Sequence, residues 1–254
     1  MSTATSLYFV VALGAVVAGF VQGLSGFAFG LVAMSFWAWT VEPRLAVVLA
    51  TFGALVGQVI AAATVRRGFD MRLLGPFVLG GLLGVPIGIW LLPRLDVAVF
   101  KACLGGLLVP WCIAMLLARQ LPRIAWGGRA ANAVSGFLGG ICGGVGGFTG
   151  PIPTLWCTLR GFERDLQRSV VQNFNLSMLA VAFALQVGTG NVSMAMLPLL
   201  GVVAVCVLIP VLLGARLYTG ISDVAFRQVV LGLLTLSGVA LLAASVPELL
   251  RRAH

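Results

Sequence analysis

Ser135 to Thr154 reads SGFLGGICGGVGGFTGPIPT, with eight glycines and two prolines in an uncharged, otherwise apolar run. In water such a stretch is a flexible loop. Here it falls where the chain is due to cross a bilayer, and backbone that leaves the helix at that depth must face protein, water or a ligand. This makes it the first candidate for a binding site. A second stretch, Ala18 to Gly30 (AGFVQGLSGFAFG), repeats the glycines: Gly19, Gly23, Gly26 and Gly30 align with Gly136, Gly140, Gly143 and Gly147 at a constant offset of 117. The two read as a pair.

The reading as a membrane protein comes from composition. Of 254 residues, 60% are hydrophobic and 9% charged, with a mean hydropathy of +1.10, against roughly 25% charged residues in an average soluble domain. Apolar runs recur along the whole length, so residues 1–254 form a single membrane domain with no room for a soluble module. The net charge of +9 is spread in ones to threes between apolar segments. That pattern marks topology and argues against nucleic acid. The start, MSTATSLYFVV, has no basic region ahead of its apolar residues, so it is expected to be retained. Cys103, Cys112, Cys142, Cys157 and Cys206 all lie in apolar segments without metal-ligand spacing, and the sole His is the last residue. No metal or cofactor is expected. Only Cys142, among the glycines, joins the candidate site.

Charges divide the chain into eight apolar segments: about Leu7 to Val41, Leu45 to Val65, Leu73 to Leu92, Val97 to Ala118, Ala130 to Leu159, Leu166 to Val187, Met194 to Tyr218 and Val224 to Val246. The first, as one helix, would be about 50 Å long against a hydrocarbon core of about 30 Å. The first and fifth are therefore expected to break, each at its glycine-rich stretch. Turn chemistry marks RRGFD around Gly68, LPRLD around Pro93 and the long link QLPRIAWGGR with Pro122, Gly127 and Gly128. The halves on either side, about 6–118 and 130–247, match again: Gly88, Leu91, Phe100 and Gly106 align with Gly214, Leu217, Phe226 and Gly232 at an offset of 126, and Lys101 with Arg227.

Eight plain crossings would put eight basic residues on each side of the membrane, which gives no orientation. If segments one and five dip in and return, Arg44, Arg94, Lys101, Arg251 and Arg252 face one way. Arg66, Arg67, Arg72, Arg119, Arg123, Arg129, Arg160, Arg164, Arg168, Arg216 and Arg227 then face the other. The positive-inside rule favours this split, with both termini outside the cytoplasm. Each half then crosses an odd number of times, which makes the halves inverted repeats. The expected fold is an all-α polytopic membrane protein of two homologous halves, each a glycine-rich, re-entrant broken hairpin followed by three transmembrane helices. A plain four-plus-four arrangement is the alternative.

A hairpin broken at mid-membrane presents the start of its returning half-helix, whose free N–H groups and dipole favour an anion. In the second half Thr149 is the expected N-cap, followed by Gly150 and by Pro151 in the first turn. In the first half Ser25 and Gly26 form the cap region before Phe27, with Gln22 one turn earlier. Gly146 and Gly147 complete the second break. After it, ERDLQRSVVQNFNLSM places Gln172, Asn173 and Asn175 two to three turns beyond Glu163, deep enough to need partners. Amides offer donors to sulfonate or carboxylate oxygens without fixing a charge; capping of the broken hairpin is the competing role. Gln58 and Gln186 read as helix-to-helix hydrogen bonds. Of the seven acidic residues, Glu42 and Glu163, each after a returning half-helix, are the proton-coupling candidates, with interfacial ion pairs the plainer reading. No nucleophile–base pair appears, so an enzyme is disfavoured.

With GFVQGLSGFAFG, SGFLGGICGGVGGFTGPIP, RSVVQNFNLSM and the GxxL with downstream F[KR] that closes each half, nearly the whole chain resembles the sulfite exporter TauE/SafE family of small anion permeases. The first copy departs from the glycine-doublet form of the second, with Phe27 and Phe29 where the second has Gly144 and Gly146. The resemblance implies movement of sulfite or organosulfonates such as sulfoacetate, usually outward, across a bacterial-type cytoplasmic (inner) membrane. The partners expected are therefore a small organic or sulfur oxyanion and the lipid bilayer. Composition and spacing alone reach a small-anion transporter. A channel-like conductor and a membrane scaffold whose glycines only pack helices, within one chain or between two in a homodimer, are the other readings.

Overall fold

The computed structural model describes residues 3–64, 68, 70–117, 123–217 and 223–253. Val65, Arg66, Arg67, Ala118, Arg119, Pro122 and Tyr218 lie outside the described residues, as do the side chains of Arg164, Phe226 and Arg227. The described residues are mostly helical, without a strand. In chain order the helices are α1 (Thr3–Ser25), α2 (Phe29–Trp37), α3 (Pro43–Thr64), α4 (Met71–Leu91) and α5 (Val97–Leu116). They continue as α6 (Gly128–Gly146), α7 (Pro151–Leu159), α8 (Arg164–Gly188), α9 (Leu197–Leu217) and α10 (Asp223–Ala253). Among the described residues seven helical stretches are long and apolar enough to cross a membrane, from Thr5–Ser25 to Val230–Arg252. The chain is a multi-pass membrane protein.

The short helices run back along the long ones that precede them. Trp37, near the end of α2, is fully buried and its indole Nε1 donates to the Val10 carbonyl of α1 at 3.3 Å. Gly14 makes room for this ring, since a Cβ there would stand 2.3 Å from the indole nitrogen. In the second half Trp156 Nε1 of α7 donates to Asn132 Oδ1 of α6 at 2.7 Å.

Glycine sets the closest helix contacts. A Cβ on Gly80, Gly84 or Gly88 of α4 would stand 1.9, 2.1 or 2.3 Å from the carbonyl oxygens of Ala133, Phe137 and Ile141 of α6. From the other side, Gly136, Gly140 and Gly144 meet the carbonyls of Phe77, Gly81 and Val85. Backbone lies on backbone, as small residues allow between membrane helices, and residue numbers rise together, so α4 and α6 run in the same direction. The same holds for α1 and α9, where Gly19 meets Val207 and Gly23 meets Val211 and Gly214. Helices α5 and α10 pack in opposite directions, Gly105 against Gly238 and Asp96 against Arg252.

These contacts correct the alignment of the two glycine stretches. Gly23 packs on Val211, Gly214 and Ala215, and Gly144 on Val85, Gly88 and Ile89. The α9 and α4 partners differ by 126, the spacing read from sequence, so Gly23 corresponds to Gly144 at an offset of 121 (144 − 23), and Gly26 to Gly147. The offset of 117 is one helical turn too short. With glycines recurring every three or four residues, a shift of four superimposes glycine on glycine on the same helix face.

Candidate functional site

Helix α1 ends where Gly26 takes φ +84°, and its N–H donates to the Gln22 carbonyl at 2.7 Å. Helix α6 ends at Gly147, φ +71°, whose N–H donates to the Gly143 carbonyl at 2.9 Å. Both are left-handed helix ends that a side chain would strain. Beyond the first, Ser25 Oγ accepts from the N–H groups of Phe27 (3.4 Å) and Ala28 (3.1 Å). The serine thus caps the break, but α2 starts two residues later than expected, at Phe29, with Ala28 at its N-cap. Beyond the second, Thr149 is not the N-cap of α7. Gly150 holds that position, Pro151 opens the helix, and the Thr149 hydroxyl donates to Asn175 Oδ1 of α8 at 2.7 Å. A buried side-chain acceptor has replaced the backbone of its own helix as the partner.

The two breaks meet. A Cβ on Gly30, in the first turn of α2, would stand 2.5 Å from the Gly147 carbonyl oxygen, and one on Gly150 would stand 2.7 Å from Cβ of Phe27. Trp111 of α5 closes this junction: its ring packs edge-on against Phe27 at 5.8 Å and its Nε1 donates to the Pro151 carbonyl at 2.8 Å. The starts of α2 and α7 therefore lie together, and first-turn N–H groups have no acceptor within their own helices.

Helices α3 and α8 bring amides and hydroxyls to the junction. Gln172 and Asn175, three residues apart on α8, share a face: the Gln172 amide lies against Gly26, and Asn175 Nδ2 would be 2.9 Å from a Cβ on Gly150. Thr51 of α3 lies against Gly147 as Gln172 lies against Gly26, and the offset is again 121 (172 − 51). Gln186 Nε2 donates to Thr51 Oγ1 at 3.2 Å, Gln58 Nε2 to the Gly26 carbonyl at 2.6 Å, and Gln22 Nε2 to the Ala54 carbonyl at 2.9 Å. Gln22, Thr51, Gln58, Thr149, Gln172, Asn175 and Gln186 are all buried.

Several of these groups are only half used. Gln172, 1% exposed, finds no hydrogen-bond partner for either its Nε2 or its Oε1, and the Oε1 atoms of Gln22, Gln58 and Gln186 also lack one. An unpaired buried amide atom costs about 1–3 kcal/mol, so this cluster is expensive unless something polar visits it. Among the described residues no charged side chain is buried. The nearest cation on α8 is Arg168, one turn before Gln172, whose Nη2 reaches the Gly23 carbonyl at 3.4 Å, near the end of α1.

Of the residues named from sequence, Gln22, Ser25, Gly26, Phe27, Gly147, Thr149, Gly150, Gln172 and Asn175 come together at or beside the breaks. Gly146 is one residue short of the turn and makes space for the Phe148 ring, whose edge would be 1.7 Å from a Cβ there. Cys142 is half-buried on α6 against apolar neighbours. Asn173 lies elsewhere: it is half-buried, its Nδ2 donates to Ser169 Oγ at 3.4 Å, and it lines a cleft of about 320 Å³ with Asp70, Asp165 and Ser169. Glu42 and Glu163 are exposed. The Glu42 carboxylate accepts from the N–H groups of Arg44 (3.2 Å) and Leu45 (3.1 Å) at the start of α3, and Glu163 holds the N-cap position of α8. Neither is at the breaks. Thr51, Trp111 and Arg168 were not singled out by sequence. An isolated Thr or Trp in an apolar helix gives no signal, whereas the position of Arg168 one turn before Gln172 on the same helix face did.

A polytopic helical membrane protein with two helix breaks joined at a buried, uncharged polar cluster is the class that fold and site define. The model of the sulfite exporter TauE/SafE family matches residues 11–241, nearly the whole chain. The chain belongs to that family, a family of membrane transporters of sulfite-like anions. Comparisons with curated proteins and with solved structures return no match.

Proposed function

We propose that the protein carries small sulfur-containing anions, sulfite or organosulfonates such as sulfoacetate, outward across the bacterial inner membrane, by alternating access at the junction of the two breaks. The observation that carries this reading is the meeting of the α2 and α7 starts beside Gln172, whose amide is buried without a partner. Helix starts attract anions and amides orient their oxygens, while the family model supplies the substrate class.

Inverted repeats are part of the proposal. Helix α1 runs with α9 and α4 with α6, and the pairing pattern is unchanged when the halves are exchanged. Such repeats, with discontinuous helices at their interface, are a common basis for alternating access. The five basic residues read as non-cytoplasmic fit this arrangement, since Lys101 sits over the Trp39 ring and Arg252 pairs with Asp96 at the same end of the bundle.

The test is flux in proteoliposomes with sulfite, driven by an imposed proton or ion gradient. Saturable flux that builds an anion gradient supports secondary transport. Flux that only dissipates an existing sulfite gradient would make the protein a passive conductor, and no flux of any sulfur anion would remove the reading.

A further inference from the structure

Building on that reading, we infer that Arg168 is the counter-charge of the transported anion, the residue that makes the junction prefer a sulfonate to an uncharged ligand of the same shape. The backbone cannot do this by itself. The starts of α2 and α7 each carry about half a positive elementary charge, and the ends of α1 and α6, at Gly26 and Gly147, about half a negative one each. All four meet at the junction, so they supply donors and almost no net potential. Gln22, Thr149, Gln172 and Asn175 are neutral, and among the described residues no charged side chain is buried. Taking an anion out of water there calls for a cation beside it.

Arg168 is placed to be that cation. Arg168, Gln172 and Asn175 stand at i, i+4 and i+7 on α8, which is one face of a helix. The two later residues look at the breaks: Gln172 lies against Gly26, and Asn175 takes the Thr149 hydroxyl and adjoins Gly150. Arg168 continues that face one turn toward the start of α8 and is half-buried. Its Nη2 reaches the Gly23 carbonyl, near the end of α1, at 3.4 Å, longer than the usual range of about 2.7–3.2 Å. A guanidinium presents its donors in a planar fork, which can hold a carbonyl and an oxyanion together. An arriving sulfonate therefore gains a charge-assisted bond while the end of α1 keeps its cation.

The other charged groups are placed elsewhere. Arg44 and Arg129 lie in the first turns of α3 and α6, and Arg160 donates to the carbonyls of Ala125 and Trp126. Lys101 sits over the Trp39 ring. Asp165, three residues before Arg168, and Arg216, in the last turn of α9, are exposed.

The experiment measures binding to the purified full-length protein in detergent at fixed ionic strength. Ethanesulfonate and its neutral counterpart ethanesulfonamide are the matched pair, with sulfite and sulfoacetate beside them. A hydrogen bond to a charged group is worth about ten- to hundredfold in affinity, and the wild-type protein should favour the sulfonate over the sulfonamide by that factor. In Arg168→Gln the preference should shrink about tenfold or more, with sulfonamide affinity unchanged. Sulfoacetate, with two charges, should lose at least as much as ethanesulfonate. Arg168→Lys, which keeps the charge but not the planar fork, should fall between the two, and Arg216→Gln should match the wild type.

A preference that is absent in the wild type, that survives in Arg168→Gln, or that falls equally in Arg216→Gln overturns the inference and leaves the anion site standing. Parallel loss of sulfonate and sulfonamide in Arg168→Gln would make the residue a structural one and also overturn it. Where Arg168→Gln does not fold, Arg168→Lys decides by the same comparison: loss of sulfonate affinity alone supports the inference, and any other result overturns it. Binding of no sulfur anion to the wild-type protein removes the transport reading itself, and the inference with it.

Discussion

Thr149→Val is the substitution that most sharply separates two accounts of how the second break is held. The side chain keeps its shape and loses its hydroxyl, the group that donates to Asn175 Oδ1 at 2.7 Å between residues 2% and 1% exposed. The Asn175 oxygen is then left without this donor in a buried site, at a cost of about 1–3 kcal/mol. For a chain of this size each kcal/mol moves the melting temperature by about 2–4 °C, so a fall of about 2–12 °C is expected. The assay is a double-mutant cycle of Thr149→Val and Asn175→Leu, read as thermal stability in detergent. Because the two groups are partners, the double variant should be more stable than the sum of the single losses predicts, with a coupling of about 0.5–3 kcal/mol. Losses that add to within about 0.5 kcal/mol would mean that the hydroxyl acts on its own helix, as an N-cap would, and would refute the strut between α7 and α8.

Further outcomes follow from the same contacts. Gly84→Ala would put a methyl group 2.1 Å from the Phe137 carbonyl and should destabilise by about 1–3 kcal/mol or more, whereas Gly106→Ala on α5, with nothing within 4 Å, should be neutral or stabilising in the same melt. Gln172→Met removes both unpartnered amide atoms, so thermal stability without anion should hold or rise while sulfite affinity falls about tenfold or more; a stability loss with intact affinity would make Gln172 a structural residue. The Val99 N–H, with help from Arg252, holds the Asp96 carboxyl below its ordinary value. That contribution to stability is full above the unfolded value and is lost as pH falls through the lower, folded one, so Asp96→Asn should flatten the acid limb of stability against pH, and an unchanged limb would contradict it.

Much of this architecture could be read from sequence because membranes impose length. A run of about 35 residues cannot be one helix across about 30 Å, and glycine identified where it divides. The polar cluster was also legible, since an amide in an apolar helix has few benign explanations. Register was not: glycine recurs every three or four residues to pack α6 on α4 and α1 on α9, so the packing pattern concealed a one-turn slip. Five of the twelve glycines in the two stretches, Gly19, Gly23, Gly136, Gly140 and Gly144, serve that packing, and of the twelve only Gly26 and Gly147 make the turns. Asn173 was grouped with Gln172 and Asn175, although successive helical residues lie about 100° apart and only 172 and 175 can share a face. Thr51 and Trp111 gave no signal because their roles depend on tertiary contacts to Gly147 and to Phe27 and Pro151.

The most direct measurement is the melting temperature in detergent of the wild-type protein and of Gln172→Met against sulfite, sulfoacetate, taurine, acetate and chloride at equal ionic strength. A ligand held only by the folded protein raises stability by about 2.7 kcal/mol at a hundredfold excess over its dissociation constant. A site at the meeting of the two breaks predicts a rise in the wild-type protein that is selective for a sulfur anion and lost in Gln172→Met. A rise that survives unchanged in Gln172→Met, or no rise with any sulfur anion at saturating concentration, would contradict it.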